Sequence, residues 1–91
     1  MRFARVNGVM SEWSGERIVV LDAAGETMIT LSPVGALIWD QLAAPADLSH
    51  LVAQLHERFP EVDRSLLLAD AERFLAELRA ADLIVETDAA G

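Results

Sequence analysis

The chain has 91 residues, enough for one domain, and its 53% hydrophobic content is that of a packed globule rather than a disordered segment. It carries 15 acidic residues against 7 basic ones, a formal charge of −8, and no cysteine. Phosphate backbones repel such a charge, which argues against a nucleic-acid partner, and the lack of thiols excludes disulfides, thiolate zinc sites and a cysteine nucleophile.

In chain order, the first third reads as strands. One is expected over residues 4–13, interrupted at Asn7-Gly8, with Ser14-Gly15 turning it into the next. Arg17-Ile18-Val19-Val20-Leu21 is β-branched and apolar on both faces, the pattern of a central strand, here 17–22. Asp22-Ala23-Ala24-Gly25 supplies turn residues, and the β-forming stretch Glu26–Leu31 returns as a third strand over 26–31. Ser32-Pro33 then starts a helix over 33–43: Ser32 can cap it, and Pro33 suits a first position whose N–H has no partner. Val34, Leu37, Ile38 and Leu42 follow at helical spacing. Asp47 caps a second helix over 47–58, with a stripe of Leu48, Leu51, Val52 and Leu55 that Phe59-Pro60 ends. Asp63 caps a third over 63–81, whose stripe is Leu67, Ala71, Phe74, Leu75 and Leu78. Leu83-Ile84-Val85 is a short apolar tail with the composition of a last strand. Strands gathered ahead of helices argue an α+β fold. A three-stranded antiparallel sheet followed by a three-helix bundle gives a winged helix-turn-helix-like arrangement in a single domain over 1–91.

No apolar run approaches the roughly 18–20 residues that cross a bilayer. The first ten residues lack the apolar segment of a signal peptide, so a cytoplasmic location with no membrane partner is expected. His50 and His56 stand six apart on one helix, on different faces, and offer no metal pair. Ser11, Ser14, Ser32, Ser49 and Ser65 sit in turns or near helix starts, none of them in a GxSxG elbow. Glu72 and Glu77 read as solvated helix face. Nothing here calls for catalysis, a metal or a cofactor.

One family resemblance emerges from the order of the motifs. Val20-Leu21-Asp22-Ala23-Ala24-Gly25, then Ile29-Thr30-Leu31-Ser32-Pro33-Val34-Gly35-Ala36-Leu37-Ile38-Trp39-Asp40-Gln41-Leu42, then Asp70-Ala71-Glu72-Arg73-Phe74-Leu75-Ala76-Glu77-Leu78 with Ala81-Asp82-Leu83-Ile84, resembles PqqD-like proteins. The resemblance covers roughly Val19 to Glu86. It implies a small winged-helix module that recognises the leader segment of a ribosomally made precursor peptide. A stand-alone chain of this kind looks most like those of lasso-peptide biosynthesis, where a leader protease and a macrolactam-forming cyclase act on the precursor. The chain departs from the family pattern at Asp82, where a glycine is usual before the final Leu, and at Ala44-Pro45-Ala46, which replaces a short glycine-containing turn.

The physical counterpart of that expectation is β-augmentation, in which a peptide adds a strand to an open sheet edge. The last strand of the meander, Glu26, Thr27, Met28, Ile29, Thr30 and Leu31, should offer that edge. Ile29 and Leu31 are expected to face the core and Met28 and Thr30 the other side; the pattern leaves open which face borders the peptide. Leu66, Leu67, Asp70, Ala71, Arg73 and Phe74 on the third helix are assigned to the opposite wall, although Leu67, Ala71 and Phe74 also suit the core. Arg73 stands either to pair an acidic leader residue or to bridge Glu77 one turn on. Trp39 is read as packing between helices, and Trp13 has no assigned role. Two rivals remain: a winged-helix DNA-binding protein, disfavoured by an acidic third helix, and a scaffold subunit that positions a partner enzyme.

Overall fold

Asn7-Gly8 divides the first strand region in two. The computed structural model describes residues 2–87, so the domain assigned to 1–91 lies outside the described residues at Met1 and at 88–91. Strand β1 (Arg2–Arg5) ends and β2 (Met10–Ser14) begins across a turn in which Gly8 takes a φ of +91°. That region is open to glycine and strained for other residues. A Cβ at this position would also stand 3.2 Å from the Ala23 side chain. The single strand expected over 4–13 is therefore two strands, and they enter different sheets.

Strand β2 pairs with β3 (Arg17–Leu21), and β3 with β4 (Met28–Leu31), in an antiparallel sheet of order β2-β3-β4. Strand β1 instead lies between β5 (Ala46–Asp47) and β6 (Ile84–Thr87) in a second antiparallel sheet. The apolar tail at Leu83-Ile84-Val85 thus supplies a strand, and the Val6 N–H continues its ladder by donating to the Leu83 carbonyl at 3.0 Å. Strand β4 starts at Met28 rather than Glu26 because the Asp22 carboxylate accepts the N–H groups of Glu26 (2.8 Å) and Thr27 (3.1 Å), holding both residues in the turn. Donation from the Thr27 backbone, chiefly, keeps the Asp22 carboxyl below its ordinary pKa.

The helices are α1 (Pro33–Gln41), α2 (Leu48–Arg58) and α3 (Arg64–Ala80). Each starts on a side-chain cap: Ser32 Oγ accepts from Gly35 N–H, Asp47 from His50 N–H, and Asp63 from Ser65 N–H, at 3.1, 2.8 and 3.0 Å. The helix expected over 33–43 stops at Gln41. The α+β class holds, with two three-stranded antiparallel sheets in place of one.

The C-terminus of α3 is closed by Asp82, which adopts φ +59°. Leu83 N–H donates to the Leu78 carbonyl and Asp82 N–H to the Arg79 carbonyl, both at 3.0 Å, which is a Schellman motif. Leu78 and Leu83, the apolar pair that accompanies the motif, are both buried. Asp82→Gly removes the Cβ cost of the left-handed conformation and is expected to stabilise the fold by about 0.5–1 kcal/mol. A thermal melt then shows a midpoint a few degrees higher; an unchanged or lower midpoint contradicts the account.

The core joins Ile18, Val20 and Leu31 of the β2-β3-β4 sheet to Ile38 and Trp39 of α1 and its C-cap Leu42, to Leu51, Val52 and Leu55 of α2, and to Leu67, Ala71, Leu75 and Leu78 of α3. Arg5 ties the second sheet to this core. Its guanidinium lies 4.5 Å from the centroid of the Trp39 ring and donates to the Trp39 carbonyl. Burial lowers the Arg5 pKa from its ordinary value, and the nearby Asp40 charge opposes the shift.

Candidate functional site

The outer side of β4 is a sheet edge, since among the described residues β4 pairs with β3 alone. The Asp22 N–H donates to the Thr27 carbonyl at 3.0 Å, and that bond fixes the phase of the β3-β4 ladder. Hydrogen-bonded pairs alternate along an antiparallel ladder, so Ile29 and Leu31 spend their main-chain groups on β3. Met28 and Thr30 turn theirs outward, two residues with N–H and C=O groups set to template another strand. Side chains alternate in the same register: Leu31 is buried and Ile29 half-buried toward the helices, while Met28, 71% exposed, and Thr30 point to the opposite face.

A groove runs beside this edge. One part, with a cavity volume of about 280 Å³, is lined by Ile29, Thr30, Leu31 and Ser32 on one side and by Phe74, Glu77 and Leu78 of α3 on the other. It continues into a cleft of about 450 Å³ between the start of α1 (Ser32, Val34, Gly35, Ile38) and Asp70, Arg73, Phe74 and Glu77 of α3. The face of β4 that borders the groove is therefore that of Ile29 and Leu31. The other edge of the sheet, β2, is exposed along its whole length.

Phe74 sits where the two parts meet, and Gly35 makes room for it. A Cβ on Gly35 would lie 2.8 and 2.9 Å from the Phe74 ring carbons. The glycine in Ser32-Pro33-Val34-Gly35 is thus set by close approach rather than by an unusual backbone angle. The helix start above it is held by the Ser32 cap.

The charges are asymmetric. Arg73 pairs with Asp70 at 3.0 Å, not with Glu77, and both partners are well exposed. The carboxylate of Glu77 has no ion pair or hydrogen bond among the described residues, yet it borders both parts of the groove.

Of the residues assigned from sequence, the structure brings together Ile29, Thr30, Leu31, Asp70, Arg73 and Phe74. Glu26 and Thr27 lie in the turn ahead of β4, and the Met28 side chain lies on the face turned away, although its main chain is on the open edge. Leu66 is 60% exposed and lines neither part. Leu67 and Ala71 are buried in the core and line neither part of the groove: Leu67 shares the Phe74 side of the helix but lies two turns nearer its start, and Ala71 is rotated about 60° from Phe74. Ser32, Val34, Gly35, Ile38, Glu77 and Leu78 also line the groove. Two signals pointed to them: the Ser-Pro-x-Gly motif, and the helical repeat that carries Asp70, Arg73 and Phe74 on to Glu77.

Comparison with known proteins gives a family and a fold for the chain. The family described as coenzyme PQQ synthesis protein D (PqqD) matches residues 17–84, three quarters of the chain. The chain belongs to the PqqD family. The matched span opens at β3 and closes at the first residue of β6, so it contains β4, α1 and α3, every element of the groove. The PqqD-like fold also matches the solved structure of TbiB1 in complex with the TbiA(beta) leader peptide, with a TM-score of 0.84 at 23% identity over 94% of this chain and 99% of that one. No curated protein matches the chain. No helix of the described residues is long and apolar enough to cross a membrane, and no cluster of metal-ligating side chains occurs among them.

Proposed function

We propose that this protein captures the leader segment of a ribosomally made precursor peptide as an added strand on β4, without itself catalysing a reaction. It presents that peptide to a leader protease, a cyclase or another maturation enzyme of the same pathway, of the lasso-peptide type, in the cytoplasm. The observation that carries the reading is the open edge of β4 beside an apolar-floored groove under α3, in a fold that also matches a leader-bound chain. Main-chain pairing to Met28 and Thr30 supplies affinity, and the groove supplies sequence choice.

The DNA-binding rival loses ground on charge. Arg73 and Arg79 of α3 are engaged by Asp70 and Glu86, so the helix that would enter a major groove presents few free cations. The deciding experiment titrates a fluorescent leader peptide, taken from a precursor gene beside this one, into the pure protein, with random duplex DNA in parallel. Saturable leader binding in the micromolar range or tighter, about 8 kcal/mol, with DNA silent, is the expected result. Salt-sensitive DNA binding with no leader binding overturns the proposal.

Gly35→Ala separates the groove from the fold. The added methyl pushes the Phe74 ring, the free end of a side chain, toward the open cleft. Alanine regains up to about 1 kcal/mol of helix propensity, which offsets much of the packing strain. Stability is thus expected to stay within about 1 kcal/mol of wild type while leader affinity falls about tenfold. Thermal melts and leader titrations on the same preparation read both, and wild-type affinity in a folded variant removes Phe74 from the site.

A further inference from the structure

The groove carries a charge rule for the peptide it accepts. Its two wall cation–anion partners, Arg73 and Asp70, neutralise each other at 3.0 Å, which leaves Glu77 as the one uncompensated charge among the residues that line both parts. On the β4 side the surface around that carboxylate is mostly apolar, with Phe74 and Leu78 on α3 and Ile29 and Leu31 on β4 beside the polar Thr30 and Ser32. A strand laid on β4 directs alternate side chains toward α3, and three of them, at i, i+2 and i+4, span about 13 Å. The stretch of α3 from Asp70 to Leu78 rises about 12 Å, comparable to that span, and Glu77 on it lines the groove beside β4, where an inward side chain of an added strand would come within its reach.

We infer that Glu77 makes this groove selective for peptides carrying an arginine or lysine, at an inward-facing strand position two residues from an apolar side chain. This rests on the β-augmentation reading of the same groove. A carboxylate flanked by apolar walls is partly shielded from solvent once a peptide covers it, so it favours a cation and disfavours an acidic residue at that position. The overall charge of −8 adds long-range attraction for basic peptides, but this acts on any cation. The position-specific preference belongs to Glu77.

The test selects a display library of random 14-residue peptides on wild type, on Glu77→Gln and on Glu72→Gln. Glu72 is an exposed carboxylate of the same helix that does not line the groove, so Glu72→Gln reproduces the change in overall charge alone. Wild type and Glu72→Gln should enrich one basic position two residues from an apolar one. Glu77→Gln should keep the apolar consensus, lose the basic one, and bind the wild-type winner about fivefold more weakly. An apolar consensus with no basic position in the wild-type pool, or basic enrichment that survives Glu77→Gln, overturns the charge rule and leaves strand addition intact. Failure of the wild-type protein to enrich any consensus overturns both.

Discussion

Thr30→Pro is expected to abolish leader capture while leaving the fold in place. The outward N–H of Thr30 is one of the main-chain donors on the open edge, and proline removes it and sets its ring where an added strand would lie. No bond to β3 is lost, because Thr30 falls on the unbonded phase of the ladder set by the Asp22–Thr27 bond. Edge strands tolerate proline on their solvent side, so stability should fall by no more than about 1 kcal/mol. Leader affinity should fall at least about thirtyfold, the equivalent of two main-chain hydrogen bonds. Two controls sharpen the result. Thr30→Ala, altering a side chain on the far face, should bind as wild type. Ile29→Pro, which breaks the ladder to Val20, should cost about 3 kcal/mol of stability. Fluorescence titration with parallel thermal melts reads all three, and wild-type affinity in Thr30→Pro shows that the peptide does not join β4.

Trp39→Ala should produce the largest loss of stability. The side chain is completely buried at the centre of α1, with the Arg5 guanidinium stacked on it. Truncation leaves a cavity costing about 3–5 kcal/mol, a large share of the roughly 5–15 kcal/mol that holds a small domain folded. The melting midpoint should drop by about 15–30 °C. Trp39→Phe should cost far less, about 1 kcal/mol, because much of the aromatic bulk is kept and an indole N–H with no partner among the described residues is removed. If Phe costs as much as Ala, the indole N–H is satisfied in solution and the packing account of this residue fails.

The sequence was informative wherever one local rule decided the outcome. The three N-caps sit on Ser32, Asp47 and Asp63, and the left-handed cap of α3 forms on Asp82 despite the missing glycine. The alternation that turned Ile29 and Leu31 inward could be read from Glu26–Leu31 alone. What could not be read depended on contacts between distant segments. The division at Gly8 is visible in Asn7-Gly8, but that β1 leaves its neighbour β2 to pair with Ile84–Thr87 is set by a partner about 80 residues away. The groove suffered in the same way. Leu67 and Ala71 share a helix with Asp70 and Phe74, and only the placement of β4 and α1 decides which of these faces the cleft. Gly35 was conspicuous in its motif, yet its reason, the Phe74 ring against its Cα, joins residues 39 positions apart.

The pairing of Arg2 with Thr87 has a consequence of another kind. These two residues stand side by side across one ladder, about 5 Å apart, on the sheet that does not carry the β4 edge. Such a unit can be spliced into a loop of a larger polypeptide with both junctions at one point of its surface. The host chain would need to bridge almost no distance, and the open edge would still face outward. The same sheet that anchors β1 thereby brings both flanks of the groove-bearing unit to one place.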